Sequence, residues 1–483
     1  MDPSVDETIY IEIMQPEENF RSLYDDSNDV DGQKNDFKCL KALCPLFIRN
    51  NIEALTIALK GNVGMSVLLL PYFYKTSGYV YCTLALLGIT TILIILSDVI
   101  VMAISSLDSE ESWSTFSALT VNYFSKLAIG RKYHNLINTI VSISGFCAQI
   151  AVCVSYSHLA STCIVNVLDI DDSSRKVYFY VSAGIVLVLH YFIISIFHTY
   201  SSQARISQLS FIFLLFSFSV ILPQLQSEGR GQAFAKSHYA FRPGKMIFTL
   251  TALLFAFEGL GMVVPIAKTS KSLQDAKHVM WISFCTSFLI FSTIGCFVYY
   301  KFGEKIQVVF LTNLQQNVLV RLATVAYVIY VQFSFGLTYL VGHELLETFT
   351  DHVGRDASLR NKFNSTWSFQ CKMLLNFLVM YIIIVFVPHI DTLICMIGAI
   401  FTLNLSFVIP IAMYMAKIYI GWAHYKNFWR DLDPNATDKS DFRLCVCLVL
   451  KLTSSMGLIA LIEFLALRSI IDGIKDLLEK KFL

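Results

Sequence analysis

Long apolar segments with few charged residues recur along most of this chain. After a polar stretch that ends near residue 50, eleven segments are long and apolar enough to cross a bilayer as helices. We number them spans 1 to 11 in chain order. Their predicted bounds are 54–75, 79–102, 136–165, 177–198, 205–226, 246–267, 278–300, 319–343, 370–388, 391–416 and 443–468. The pattern therefore predicts an all-α polytopic membrane protein with about eleven transmembrane helices.

Span 1 carries polar and flexible residues at its middle. Residues 60–66 read Lys-Gly-Asn-Val-Gly-Met-Ser. Glycine weakens a helix by about 1 kcal/mol relative to alanine, and a charge at this depth usually faces a cavity or the interior of the bundle. We therefore expect two half-helices with an unwound break near Gly61–Met65, and Ser66 as the cap of the second half. A bent but continuous helix, in which the glycines allow close packing, is the alternative.

Span 6 has a similar interruption. Residues 255–265 read Phe-Ala-Phe-Glu-Gly-Leu-Gly-Met-Val-Val-Pro, with two glycines and an ionisable side chain, Glu258, near the middle of the span. Broken helices at corresponding positions of two repeats are typical of secondary transporters, where they bring free backbone groups to the substrate site. The pair predicts that spans 1–5 and 6–10 are two inverted repeats, to which span 11 is added.

Composition limits the class of protein. Of the 483 residues 55% are hydrophobic and 15% are charged, and the mean hydropathy is +0.58, which is too apolar for a soluble globule. The formal net charge of +1 gives no indication of nucleic-acid binding. The twelve cysteines show no metal-ligand or disulfide spacing. No catalytic or phosphate-binding motif occurs, so we expect a protein that is not an enzyme and needs no cofactor.

The predicted organisation is a ten-helix core with additions at both ends. Residues 1–38 carry eleven acidic and three basic side chains, which is typical of a solvated tail and makes this segment a candidate binding site for regulators. The predicted parts are an acidic cytoplasmic tail over 1–50, a ten-helix transporter core over 51–418, a cytoplasmic loop over 419–442, span 11 over 443–468 and a short tail over 469–483.

Basic residues in the connecting segments predict the orientation. With a cytoplasmic N-terminus, the inner flanks hold nineteen Lys and Arg residues and the outer loops hold ten. Cytoplasmic loops carry an excess of these residues, so the bias favours a cytoplasmic N-terminus. Eleven spans then place the C-terminus on the outer or lumenal side.

The interrupted spans resemble those of a known family. Residues 60–78 resemble the first helix of the amino acid/auxin permease superfamily, with Gly64-Met65-Ser66 where that family usually has Gly-x-Gly. Residues 255–265 are very similar to helix 6 of its proton-coupled amino acid transporter branch. The likeness covers about residues 45–465. Span 3 resembles the family pattern Gln-x-Gly-x-Cys-x-x-Tyr at Gln149, Ala151, Cys153 and Tyr156, with alanine in place of glycine.

The resemblance implies a LeuT-like fold and secondary active transport of amino acids, often by proton symport. Sodium is the alternative coupling ion. Two other functions stay open: an amino acid sensor (transceptor) that signals through its acidic tail, and a vacuolar or vesicular exporter of amino acids or related small metabolites. We expect an integral protein of the plasma membrane or of an endolysosomal or vacuolar membrane.

A zwitterionic substrate suits the two interruptions. Amides at the start of the second half of span 1, near Gly64 to Val67, can receive the α-carboxylate. Carbonyls near Lys60–Asn62 and Phe255–Phe257 can receive the ammonium group, and Glu258 is the predicted proton-coupling residue. The predicted substrate-binding residues are Gly61, Asn62, Gly64, Met65, Ser66, Tyr156, Phe255, Phe257 and Gly259.

Overall fold

The described part of the chain is almost entirely helical. The computed structural model describes residues 47, 51–107, 109–168, 170–228, 239–257, 261–353, 366–387, 389–432, 455–457, 459–460 and 462–475. The chain divides into two units, 1–50 and 51–483, and the membrane helices belong to the second unit. The acidic tail predicted over 1–50 lies outside the described residues, apart from Phe47. No strand occurs in the described ranges, so the all-α prediction is confirmed.

Helices occur at each predicted span. Their bounds are Ile52–Asn62 and Ser66–Ser77 in span 1, Tyr79–Ser105 in span 2, His134–Val167 in span 3, Asp172–Ile196 in span 4, Tyr200–Leu209 and Phe211–Glu228 in span 5, Met246–Ala256 and Val263–Thr269 in span 6, Leu273–Phe302 in span 7, Val318–Val353 in span 8, Thr366–Phe386 in span 9, and Ile390–Ile397 and Ile409–Leu432 in span 10. In span 11 the described residues 455–457, 459–460 and 462–475 are helical.

Several helices continue past the apolar segments that predicted them. Among the described residues, seven helices are long and apolar enough to cross a membrane, and the two halves of span 1 add an eighth crossing when taken together. Span 8 continues to Val353 and span 10 to Leu432, beyond the predicted ends at 343 and 416. These extensions are polar, and hydropathy marks only the part of a helix that lies in the hydrocarbon layer.

Span 1 is broken, as its glycines predicted. Its first half, span 1a, ends at Asn62, its second half, span 1b, begins at Ser66, and the axes are bent by 40°. The expectation that Ser66 caps span 1b is wrong, because Met65 occupies the N-cap position and no side chain caps this end. A serine one residue inside the helix cannot place its hydroxyl under the free amides as an N-cap residue does.

Span 6 is also broken. Its first half, span 6a, is Met246–Ala256 and its second half, span 6b, is Val263–Thr269. Phe257 follows span 6a with non-helical dihedral angles, φ −108° and ψ 48°. Glu258 and Gly259, two of the predicted site residues, lie outside the described residues.

The broken halves pack against one another crosswise. Span 1a contacts span 6b, and span 1b contacts span 6a. Span 7 lies against both halves of span 1, while span 3 packs along span 8 and span 5 lies against span 8. The helix halves on either side of the two interruptions are therefore neighbours, as expected for two inverted repeats.

Span 10 is irregular where it crosses span 6a. Residues Gly398–Thr402 and Asn404–Val408 are π-helical, a form that occurs often at functional sites. A Cβ atom at Gly398 would lie 2.0 Å from the carbonyl oxygen of Thr251 in span 6a. Only glycine therefore allows the two backbones to approach this closely.

Candidate functional site

Two carbonyl groups in the break of span 1 are occupied by tyrosines of span 8. The hydroxyl of Tyr330 donates a hydrogen bond to the Val63 carbonyl at 3.0 Å. The hydroxyl of Tyr327 donates to the Gly64 carbonyl at 2.8 Å. Both tyrosines are fully buried, so each satisfies a backbone acceptor that lipid could not satisfy. These bonds hold the break in its unwound form.

The amides that follow the break have fewer partners. The Leu68 amide bonds the Met65 carbonyl at 3.1 Å. For the amides of Ser66 and Val67 no backbone acceptor is found among the described residues. The first turn of any helix leaves its amides free in this way, and such free amides bind anions. The N-terminal end of span 1b thus has the chemistry of a carboxylate site.

Tyr156 of span 3 lies directly against this break. A Cβ atom at Gly64 would lie 3.2 Å from the Tyr156 hydroxyl oxygen. Tyr156 is buried and lines a cavity beside the break. Tyr156, one of the predicted site residues, thus lies against Gly64 in the fold, although the two residues are separated by about 90 positions in the chain.

The cavity beside the break is small and has both polar and apolar walls. Its volume is about 40 Å³, which is room for about three water molecules. Residues of spans 1, 3, 5, 6 and 8 line it. The lining consists of Thr56, Ile57, Lys60, Gly61, Gln149, Val152, Tyr156, Gln208, Gly261, Met262, Ser334, Leu337 and Thr338.

Lys60 is the cation at the wall of this cavity. Its side chain is buried, with 6% of its surface exposed. Its ammonium group donates a hydrogen bond to the Ser210 hydroxyl at 2.6 Å, at the junction of the two helices of span 5. It also lies 5.1 Å from the ring centre of Tyr330, within the range of a cation–π interaction. The lysine therefore connects span 1a to spans 5 and 8.

The remaining predicted site residues do not all reach the cavity. Asn62 points to span 7, where its amide donates to the Ser283 hydroxyl at 2.8 Å. Phe257 packs on Phe291, which is also in span 7, with ring centres 5.2 Å apart. Phe255 faces span 10, because a Cβ atom added at Gly398 of span 10 would lie 3.3 Å from the Cβ of Phe255. These three side chains support the site from behind, whereas Gly61 and Tyr156 line it.

The membrane face at which span 1 begins, called here the near face, has a wide opening. A vestibule of about 930 Å³ lies there and shares Ile57, Gln149 and Gly261 with the small cavity. Its other lining residues come mainly from the near-face ends of spans 3, 6b, 8 and 9. Besides the three shared residues they are Ser114, Thr115, Phe116, Val141, Gly145, Ser195, His198, Val264, Pro265, Lys268, Thr269, Leu340, Val341, His343, Glu344, Leu345, Glu347, Phe369, Gln370 and Leu405.

The opposite face, called here the far face, is closed by polar contacts around the end of span 1b. Arg242 forms an ion pair with Glu304 at 3.0 Å. Lys75 donates to the Ile306 carbonyl at 3.1 Å. The amide of Tyr79 bonds the Tyr239 carbonyl at 3.1 Å. The small cavity thus communicates with the near face, while the segments that precede span 6 and follow span 7 cover the far face.

Sequence reasoning missed the contributions of spans 5 and 8. Gln208, Ser334 and Thr338 line the cavity, but span 8 is one continuous helix, which Gly336 does not interrupt. Serine and threonine in such a helix usually bond the preceding turn, and Ser334 does so to Tyr330 at 3.1 Å. The spacing of Ser334 and Thr338, four residues apart, was the available signal, because it puts both on one helix face.

Known proteins with similar sequences are amino acid transporters. The chain is 24% identical over 72% of its length to the amino acid transporter AVT3A of Arabidopsis thaliana, and the match covers 77% of that protein. It is 24% identical over 37% of its length to the vacuolar amino acid transporter 4 of Saccharomyces cerevisiae. The match spans only 27% of that yeast protein.

A solved structure confirms the fold class. The manganese transporter of Eremococcus coleocola, in complex with an aromatic bis-isothiourea substituted compound, aligns with a TM-score of 0.50 at 11% identity. The alignment covers 89% of this chain and 95% of that one, and the shared architecture is the LeuT-like fold. The model of the family described as transmembrane amino acid transporter protein matches residues 50–435. On this evidence the chain belongs to the transmembrane amino acid transporter family.

Proposed function

We propose that this protein moves amino acids across a membrane by alternating access and is driven by protons. The observation that carries the proposal is the break of span 1, which leaves first-turn amides of span 1b free and begins at a small cavity lined by Lys60 and Gly61. Amides of this kind suit the α-carboxylate of an amino acid. The cavity communicates with one face and is covered at the other, as alternating access requires of each of its end states.

Uptake in liposomes tests this proposal. Purified full-length protein is reconstituted, and accumulation of radiolabelled amino acids is measured across a panel, with and without an inward pH gradient. Accumulation that needs the pH gradient supports proton coupling. Accumulation that needs a sodium gradient instead would show that sodium, and not the proton, is the coupling ion. Binding without flux would favour the alternative of an amino acid sensor.

Glu258 is the proposed coupling residue. A carboxylate in the middle of a membrane span is a proton-relay candidate, and it falls within the interruption of span 6. Glu258→Gln imitates a permanently protonated carrier. Exchange of internal for external amino acid should survive in this variant, net uphill uptake should fail, and the pH dependence of uptake should disappear. Accumulation at the level of the unmodified protein would contradict this role.

The membrane and the orientation are proposals of the same kind. The name of the yeast relative favours a vacuolar membrane, and the basic residues in the loops favour a cytoplasmic N-terminus. The near face would then be cytoplasmic, and proton-driven transport would run out of the organelle. Fluorescence microscopy of a tagged chain locates the membrane, and protease protection of tags at the two ends gives the orientation.

A further inference from the structure

Gln149 of span 3 carries an acceptor that the fold leaves without a partner. The side chain is 8% exposed. Its Oε1 atom is fully buried and has no hydrogen-bond partner among the described residues. Leaving a buried amide oxygen unpaired is costly, and each such atom in a native fold calls for an explanation.

The side chain of Gln149 lies between the small cavity and the vestibule, because the residue lines both. A Cβ atom at Gly342 of span 8 would lie 2.9 Å from the Gln149 Cβ, so span 8 closes on the base of the side chain. A Cβ atom at Gly261 would lie 4.0 Å from Nε2, which is therefore the amide atom beside the lining residue Gly261. A half-turn of the amide group exchanges its oxygen and nitrogen, and would bring Oε1 to that position.

Two backbone acceptors in the break of span 1 are already used. The Val63 and Gly64 carbonyls accept the tyrosine hydroxyls of span 8. Asn62 Oδ1 also has no partner among the described residues, but Asn62 does not line the cavity. The described lining contains one basic side chain, Lys60, and no carboxylate. The carboxylate of a ligand suits Lys60, its ammonium group suits a neutral acceptor, and no further described charge is present to balance an ionised side chain.

We propose that Gln149 Oε1 accepts a hydrogen bond from the α-ammonium group of a neutral amino acid. This inference rests on the proposed function. It assigns a side chain of span 3 to the ammonium group of the substrate. The interruptions alone had indicated backbone carbonyls of spans 1 and 6 for that group. Two other partners of the Gln149 amide would give different results. One is a water molecule bonded to Oε1, and the other is a substrate carboxylate that accepts a hydrogen bond from Nε2.

The experiment is a thermodynamic cycle between residue 149 and the ammonium group. Dissociation constants are measured by calorimetry on the purified full chain for glycine, L-alanine, L-leucine and L-phenylalanine. Each is paired with its 2-hydroxy acid, which keeps the carboxylate and side chain but lacks the ammonium group. The variants are Gln149→Met, which removes the acceptor, and Gln149→Glu, which keeps it. The control is Gln332→Met, because Gln332 also has an unpaired buried amide but does not line the cavity.

The expected result is a loss of discrimination. The preference for the amino acid over its 2-hydroxy acid should fall about tenfold in Gln149→Met, since one charge-assisted hydrogen bond is removed, and should stay unchanged in Gln332→Met. Gln149→Glu should bind the amino acid at least as tightly as the unmodified protein. If Gln149→Met does not fold, Gln149→Glu carries the test, because a carboxylate should discriminate more strongly against the 2-hydroxy acid.

Several results would overturn the inference. Unchanged discrimination in Gln149→Met would mean that only water bonds this oxygen. Equal weakening of both ligands would indicate packing or a carboxylate contact, and so would loss of amino acid binding in Gln149→Glu. If the protein binds amino acids with charged side chains and not those with neutral ones, the proposed substrate class is wrong. If the unmodified protein binds no amino acid and transports none, the proposed function fails as well.

Discussion

The near and far faces of this transporter differ in how they are built. At the far face, hydrogen bonds join the end of span 1b to the segments before span 6 and after span 7, and the Arg242–Glu304 ion pair joins those two segments. At the near face, the corresponding helix ends surround a vestibule of about 930 Å³. The small cavity lies between the two and communicates with the near face. Among the described residues, the near face is therefore the open one.

The difference teaches which contacts must break during a transport cycle. Opening the far face requires the loss of several weak polar bonds, most of them outside the apolar layer, where water can replace them. The tyrosine bonds to the break of span 1 are buried and have no such replacement. We therefore expect the break to remain unwound while the far face opens and closes.

The largest effect is expected from Gly64→Leu, because it fills the break of span 1, where the substrate is proposed to bind in both end states. A Cβ atom at Gly64 would lie 3.2 Å from the Tyr156 hydroxyl, so a leucine side chain overfills the break, at a cost of about 1–3 kcal/mol. Uptake into liposomes should fall to background while the protein remains inserted. Gly88→Leu is the matched control, because Gly88 faces open space. Normal uptake by Gly64→Leu would place the substrate elsewhere.

Tyr327→Phe should have the next largest effect. It leaves the Gly64 carbonyl buried without its donor, which costs about 1–3 kcal/mol. Uptake from either side should fall roughly tenfold, because the geometry of the break changes for both end states. Tyr178→Phe serves as control, since Tyr178 is an exposed tyrosine of span 4. A change confined to one direction of transport would show instead that Tyr327 belongs to a gate.

Gly78→Ala should weaken the contacts that close the far face, without altering the small cavity. Gly78 has a φ of 92°, and a Cβ atom there would lie 2.5 Å from the Ala240 carbonyl oxygen. The left-handed conformation alone costs about 1–2 kcal/mol. The buried thiol of Cys82, which bonds the Phe73 carbonyl nearby, should react severalfold faster with a small thiol reagent, as measured by peptide mass spectrometry.

The control for this variant is Gly244→Ala. Gly244 also has a positive φ, 126°, but a Cβ atom there would meet nothing within 4 Å. It should therefore raise the reactivity of Cys82 less than Gly78→Ala does. Equal reactivity in the two variants would mean that strain, and not the contact with Ala240, governs the closure.

Arg242→Ala should have the smallest effect. The Arg242–Glu304 pair is 45% and 36% exposed, so water and salt screen it, and it contributes about 0.2–1 kcal/mol. Cys82 should become slightly more reactive at low ionic strength, and the difference should vanish at high salt. Arg468→Ala, which breaks an exposed pair with Asp472 on span 11, should leave Cys82 unaffected. A large effect that salt does not change would show that the pair is desolvated in the closed state.

The sequence by itself determined the class of fold and the position of its breaks. In lipid every backbone group must find a partner, so apolar stretches must be helical and any glycine–asparagine interruption stands out locally. The residues around Gly64 and those around Gly261 therefore predicted broken spans 1 and 6, and the structure has both. Gly61 and Tyr156 were also predicted from these patterns and the family resemblance, and both line the small cavity.

Only the tertiary structure decided which side chains surround the breaks. Tyr327 reaches the Gly64 carbonyl across 263 residues of chain, and Ser334, Thr338 and Gln208 come from helices that look like ordinary packed helices in sequence. The burial of the unpaired Gln149 oxygen also depends on distant packing, because Gly342 of span 8 lets that helix approach the base of the side chain. Local backbone rules fix where a membrane helix breaks, whereas the partners of the freed groups depend on how distant helices pack.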